Sequence, residues 1–455
     1  MKCILVGLFF VASLAYGADK LTAPELIALT KGNPAKLQEA LVATLGADAI
    51  KKGTAVLGHG PDFIFAVASS SRPVLMLDEE AGPPMKQIPK SDIWYGVGKF
   101  SVGTGHQFEY RIDGKPFGGS KDVPAYGPES YLKPGVPMGT LTEMRVHTSK
   151  VYPGMLTNYW IYQPAEYEPK TPAALMVVQD GQDDIYRDRD AHRLLDVLDN
   201  LIYEKKIPVL IVLLVQPGIV KEGTPIFDEL HNMIANAAPR YIAPPRAGVP
   251  APPPQSPEQR TMRSVEYDTV SDRYSRFLND DILPDVIYSK YNVRRDAYSR
   301  ALHGQSSGGI AAFNIAWQHP EQFSRVVSWI GSFQPIQMVP NYGGQAFPAM
   351  VARDAGKRNI RVWLQDGADD MGAWPLQNIE MANALKQRDY DFHFSFGVGT
   401  HNSAQGSAEW PETLTWLWRG YDPATTEQVY EPDPKEADKP LFRVRIYDRE
   451  HGPEF

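Results

Sequence analysis

The sequence predicts a mostly parallel α/β sheet covered on both faces by helices, preceded by a small β-sandwich. Three observations carry this. From about residue 151, near-continuous apolar segments such as "AALMVVQD" and "VLIVLLVQ" alternate with stretches whose apolar residues recur at three- and four-residue spacing. Strands that read apolar throughout are buried on both faces, which requires helical crossovers. Between residues 54 and 148 the pattern differs: "DFIFAVAS", "PVLMLDE", "IWYGVGKFSV" and "HQFEYRID" are short, aromatic or β-branched, and separated by Gly, Pro and Asp. Such spacing suits a sandwich of short antiparallel strands. Finally, "GQSSGG" stands between an apolar segment and a helical one.

In order, residues 1–17 read as a secretory leader: Lys2 is basic, Ile4 to Leu14 is apolar, and Ala15-Tyr16-Gly17 is a small-x-small cleavage site. The apolar run is too short to span a bilayer comfortably, and a retained N-terminal anchor is the alternative reading. The only cysteine, Cys3, lies inside it, so a processed chain has no thiol for disulfides, zinc or nucleophilic chemistry. This pattern predicts a secreted or periplasmic protein. Residues 18–53 read as helical with a Gly-Asn-Pro break, and 54–148 as the β-rich domain, where Trp94 and Tyr95 are either core aromatics or a sugar-stacking platform. Residues 149–421 read as the α/β domain. Its strands fall at 158–165, 173–180, 209–216, 298–304, 325–333, 360–367 and 392–399, with helices at 191–206, 272–291, 306–320, 375–390 and 411–421. The stretch "APPRAGVPAPPPQS" (243–256) cannot be regular structure and reads as a surface flap. The tail, 422–455, is polar except for "PLFRVRIYD", an expected edge strand.

A net charge of −8, with Lys and Arg scattered through the chain, argues against nucleic acid or an anionic membrane as partner.

Gly304-x-Ser306-x-Gly308 is expected about 0.15 times by chance in a chain of this length and composition. Its setting is more specific than its letters. A strand leads in and a helix leads out, as required for a nucleophile held on a sharp corner. The helix N-terminus beneath it favours developing negative charge. A serine hydroxyl needs a base, and four histidines follow: His319, His393, His401 and His451. His319 ends the helix, His393 lies inside a strand and His451 lies in the tail. His401 follows "FGVGT", a loop directly after the last core strand, where a base can reach the serine. The orienting acid belongs on the loop after the preceding strand, "LQDGADDM". Asp366 is placed to bond its own turn through Gly367, leaving Asp370 and Asp369 as alternatives. Two N–H groups must meet the oxyanion. Ser307 supplies one. Gln182, after the turn-permitting Gly181 in "VVQDGQ", supplies the other.

With "GQSSGG", "LQDGADD" and "GVGTHN" in this order, residues 148–421 resemble the esterase family that includes enterochelin esterases, the feruloyl and acetyl-xylan esterases of carbohydrate esterase family one, and S-formylglutathione hydrolases. The resemblance implies an α/β-hydrolase fold and acyl-enzyme chemistry without metal or cofactor, and it favours Asp370 as the acid. "RSVEYDTVSDRYSRFLNDDILPDV" is similar to the Arg-x-x-Glu segment of the enterochelin esterase branch. That places Arg263 and Glu266 near the site, as substrate-binding residues or as a salt bridge at the start of a helix. The β-rich domain is more weakly similar to that branch's immunoglobulin-like module. Trp374 and residues 219–260 are expected to shape the acyl pocket. Export favours feruloyl or acetyl esters on plant polysaccharide over a cytoplasmic siderophore ester. Acyl transfer of the mycolyltransferase type and non-catalytic carbohydrate binding are the alternatives.

Overall fold

The computed structural model describes residues 21–187, 192–221, 223–227, 233–234, 259–333, 343–441, 446–448 and 452–454. The leader (1–17), the proline-rich stretch (243–256) and His451 lie outside the described residues. The chain divides into two compact units, one of residues 1–100 and 108–120, the other of residues 101–107 and 121–455.

The smaller unit joins helices Ala23–Leu29, Pro34–Leu45 and Ala47–Lys52 to two antiparallel sheets. In the first sheet, Asp62–Ala68 pairs with Ala55–His59 on one side and Ile93–Lys99 on the other. Leu26, Leu37, Leu41 and Ile50 from the helices pack with Ile64, Ala66 and Ile93 of that sheet. Stripes of such spacing are unstable as isolated helices and gain their stability from this burial. The helical segment and the strands therefore share one core. On the sheet's other face, Phe65 meets Phe108 of the second sheet at 5.1 Å between ring centroids. A two-residue Asp113-Gly114 turn, with φ of 49° and 78°, joins the strands Thr104–Ile112 and Lys115–Ala125. Positive φ at both positions matches the twist of a tight hairpin. Trp94 donates its indole N–H to the Ser69 carbonyl at 3.1 Å.

The larger unit is built on β1 (Leu156–Gln163), β2 (Ala174–Gln179), β3 (Leu210–Val215), β4 (Arg300–Gln305), β5 (Arg325–Trp329), β6 (Arg361–Gly367) and β7 (Asp391–Gly397). Their order is β1-β3-β2-β4-β5-β6-β7. All neighbours are parallel except β1, which runs antiparallel to β3. Alternation sorts the side chains: Val177, Leu213 and Leu302 enter one core, and Val178, Leu214 and Ala301 the other. Each large aliphatic side chain so buried contributes about 1.5–3 kcal/mol, and both faces of the sheet carry such cores. Among the described residues, no helix is long and apolar enough to cross a membrane.

Three expectations change in detail. The helix read over 272–291 is α-helical only at Arg273–Arg276, then widens into π-helical turns at Phe277–Ile282 and Pro284–Tyr288. Pro284 has no N–H to donate, and its ring crowds the carbonyl four residues back. The last helix starts at Ala404 rather than at Pro411. Gly406 serves close packing within it, since a Cβ there would lie 2.4 Å from the Trp329 ring. Of the expected tail strand, the described residues Ile446–Asp448 pair antiparallel with Gly452–Glu454 rather than with the large sheet.

Candidate active site

β4 ends at Gln305, and the helix Ser307–Gln318 begins immediately beyond Ser306. Ser306 itself has φ 55° and ψ −121°, a conformation costly for a residue with a Cβ and retained only where the surroundings enforce it. The enforcement is visible. Its N–H donates to the Trp329 carbonyl on β5 at 2.9 Å, and its carbonyl accepts from Gly309 N–H at 2.9 Å. The flanking glycines are needed for close approach. A Cβ on Gly304 would lie 2.1 Å from the Gly308 carbonyl oxygen, and one on Gly308 would lie 2.9 Å from Asp180 Oδ2.

His401 lies beyond β7, after Val398, Gly399 and Thr400. Its Nε2 is 2.8 Å from Ser306 Oγ, while its Nδ1 is 2.7 and 2.9 Å from the two carboxylate oxygens of Asp370. A carboxylate only accepts, so Nδ1 carries the proton and Nε2 is free to accept from the serine hydroxyl. Asp369 faces elsewhere and pairs with Lys121 at 2.8 Å. The alternatives left by spacing thus differ in contact: Asp370 touches the imidazole, and Asp369 touches a half-exposed lysine. The acid and histidine loops are pressed together, since a Cβ on Gly367 would lie 2.1 Å from the Gly399 carbonyl oxygen. The Trp374 ring packs edge-on against the His401 imidazole, with centroids 4.9 Å apart.

Asp366 accepts the Gly367 N–H at 2.7 Å, as its position in the turn predicts. Burial, reinforced by the neighbouring Asp370 carboxyl, pushes its carboxyl up to about 9. Its neutral form is therefore the favoured one in this site.

Gln182 sits in the single turn Gly181–Asp183 at the C-terminal end of β2, the strand beside β4. Gly181 is required there, because a Cβ would lie 2.5 Å from Leu214 Cβ. Ser307 is the first residue of the helix that follows Ser306. Both candidate N–H donors thus lie at the carboxyl ends of adjacent parallel strands, where sites on such sheets form.

Arg263 and Glu266 are not paired with each other. Arg263 grips Asp180 through Nε at 3.0 Å and Nη2 at 2.8 Å, and Nη2 also reaches the Gln305 carbonyl at 3.3 Å. It ties the Gln182 turn to the residue before Ser306. Glu266 is only 2% exposed and accepts the Gly218 N–H at 2.7 Å. Burial pushes its carboxyl up to about 8. The i, i+3 spacing suggests a local pair or a shared ligand, but the helix Arg263–Tyr267 directs the two side chains to different partners. Residues 219–260 are described only in part, and a role for them in an acyl pocket lies outside the described residues.

Elsewhere, His147, Asp281 and Asp285 bring potential metal ligands within 4.8 Å of one another. Asp281, however, already accepts from His147, Ser149 and the Lys150 N–H, and Asp285 pairs with Lys150. This is a satisfied ion-pair cluster.

A serine hydroxyl, an imidazole and a carboxylate in one hydrogen-bonded line is an arrangement capable of acyl transfer. No curated protein matches the chain. Similar solved structures include the enterobactin esterase from Shigella flexneri in the presence of enterobactin, at 13% identity over 80% of this chain and 96% of that one, TM-score 0.49. Another is the same enzyme with 2,3-di-hydroxy-N-benzoyl-glycine, at 15% identity over 80% and 98%, TM-score 0.48. A third is a carbohydrate esterase family one ferulic acid esterase from the anaerobic fungus Anaeromyces mucronatus, at 15% identity over 65% and 97%, TM-score 0.44. A family model described as "Esterase: Putative esterase" matches residues 245–416. The matched segment holds Ser306, Asp370 and His401.

Proposed function

We propose that this chain is an exported serine esterase of α/β-hydrolase type, cleaving a carboxylic ester through an acyl-enzyme. Ser306 Oγ attacks the ester carbonyl carbon as its proton passes to His401 Nε2. Asp370 holds the imidazole in the required tautomer and stabilises the imidazolium. The N–H groups of Gln182 and Ser307 donate to the oxyanion. Collapse of the tetrahedral intermediate breaks the ester C–O bond, and the departing alcohol takes the proton from His401. A water molecule then attacks the acyl group with His401 again as base, releasing the acid and restoring Ser306. The observation that carries the reading is the continuous hydrogen-bonded line Ser306–His401–Asp370, at 2.8 and 2.7 Å.

The ester we propose is a feruloyl or acetyl ester on plant polysaccharide. This reading rests on the leader sequence and on the motif resemblance, with the smaller unit acting as a β-sandwich module. The test is labelling by a fluorophosphonate followed by turnover of a panel: p-nitrophenyl acetate, methyl ferulate, acetylated xylan and a catecholate trilactone. Labelling at Ser306 and preference for methyl ferulate or acetylated xylan are expected. Folded protein that resists the probe would refute the serine mechanism, and preference for the trilactone would refute the polysaccharide substrate.

A further inference from the structure

We propose that Asp122 is a positioning residue for His401: its carboxylate grips Thr400 and so holds the neighbouring imidazole within reach of Ser306. The inference rests on the serine-esterase reading.

His401 hangs on a loop that has every reason to wander. Gly397 and Gly399 occupy two of the four positions before it, and glycine loses more backbone freedom on ordering than any other residue. The imidazole nevertheless has to meet two partners at once, Asp370 on one side and Ser306 on the other. Something must fix the peptide that carries it.

Asp122 lies in the strand Lys115–Ala125, in the part that belongs to the larger unit. Its Oδ1 accepts the Thr400 backbone N–H at 2.7 Å, and its Oδ2 accepts the Thr400 hydroxyl at 2.7 Å. Both oxygens are therefore spent on the residue immediately before His401. One bond fixes the peptide and the other fixes χ1, and bonds to a carboxylate are shorter and stronger than neutral ones. Asn402 Nδ2 completes the grip by donating to the same Thr400 hydroxyl at 3.0 Å. The carboxylate also lies close to the bare backbone before Thr400, since a Cβ on Gly399 would stand 3.5 Å from Asp122 Oδ1. The preceding residue, Lys121, pairs with Asp369 at 2.8 Å on the acid loop. That pair is half-exposed and contributes little. The bidentate contact of Asp122 is the stronger constraint.

Positioning of this kind is read in turnover more than in substrate binding. A displacement of about 1 Å at a reacting group costs about 100-fold. Asp122→Ala is therefore expected to lower kcat by about 10- to 100-fold while KM changes by less than about 3-fold. Asp122→Asn should recover most of the loss, because the amide oxygen still accepts the Thr400 N–H and the hydroxyl can turn to accept from the amide nitrogen. Thr400→Val, which deletes one of the two bonds, should fall between wild type and Asp122→Ala. Circular dichroism and the thermal midpoint are measured for each variant. Should Asp122→Ala fail to fold, Asp122→Asn and Thr400→Val carry the test. Wild-type kcat in a folded Asp122→Ala or Thr400→Val, or an effect confined to KM, would overturn the proposal. So would a folded Asp122→Asn as impaired as Asp122→Ala. His401→Ala, assayed alongside, separates this failure from that of the underlying reading. An active His401→Ala sinks the serine-esterase mechanism. An inactive His401→Ala beside an unimpaired Asp122→Ala sinks only the positioning role.

Discussion

Glu409→Gln should remove a pH dependence from the stability of the larger unit. Glu409 is 4% exposed on the helix Ala404–Leu417. Its Oε1 accepts from Ser395 at 2.6 Å and from Gln405 at 2.8 Å, while Oε2 is buried with no hydrogen-bond partner. Gln405 in turn packs under the start of the histidine loop, where a Cβ on Gly397 would lie 2.0 Å from Gln405 Oε1. Burial, only partly offset by these two bonds, pushes the Glu409 carboxyl from an ordinary 4.5 up to about 7. The folded state therefore binds this proton more tightly than the unfolded chain. Its contribution to stability is fully present below about pH 4.5 and is lost as pH rises through about 7. Integrating between those values gives a loss of about 2.5 kcal/mol from pH 5 to pH 8. A glutamine resembles the protonated acid at every pH and should cancel that slope. Eight of the nine tryptophans, all but Trp94, lie in the larger unit, so urea unfolding followed by tryptophan fluorescence reports on it. Glu266 and other buried acids titrate in both proteins and cancel in the comparison. The variant should lose less stability than wild type between pH 5 and pH 8, by about 2.5 kcal/mol. Parallel stability curves for the two proteins would refute the argument.

Asp370→Asn should lower kcat by about 10⁴-fold, because an amide that donates to Nδ1 enforces the wrong tautomer, and steady-state kinetics on p-nitrophenyl acetate checks this. Gly304→Ala would place a methyl 2.1 Å from the Gly308 carbonyl oxygen. Shifting the corner by about 1 Å should cost about 100-fold or more in kcat, and normal turnover in a folded variant would contradict the geometry. Arg263→Met leaves the Asp180 carboxylate, 4% exposed, without its cation. The expected destabilisation is about 3–5 kcal/mol. Adding Asp180→Asn should recover much of it, and a double-mutant cycle in urea unfolding measures the coupling.

The sequence carried the alternation of the large sheet because strands buried on both faces are apolar throughout, leaving little else for "VLIVLLVQ" to be. Its motif at Ser306 was legible because sterics demand glycine at two fixed offsets. The distinction between Asp369 and Asp370 was weak, since adjacent residues on a loop have no periodicity to orient them. Arg263 shows the limit more clearly. Its partner, Asp180, lies 83 positions away, and local spacing pointed instead to Glu266, three residues on. Asp122 gave no signal at all, because an aspartate in a polar stretch looks like any solvated residue until the chain folds back on it. The start of the last helix was missed for a related reason: Gly406 marks close packing against Trp329, and from sequence alone it is indistinguishable from a loop glycine.

The most direct test of the mechanism is intact-mass spectrometry of protein quenched during turnover of a slowly deacylated ester. A mass increase equal to the acyl group, located by digestion on the peptide containing Ser306 and absent in Ser306→Ala, is the predicted result. Turnover with no acyl adduct, or an adduct and undiminished rate in Ser306→Ala, would contradict it.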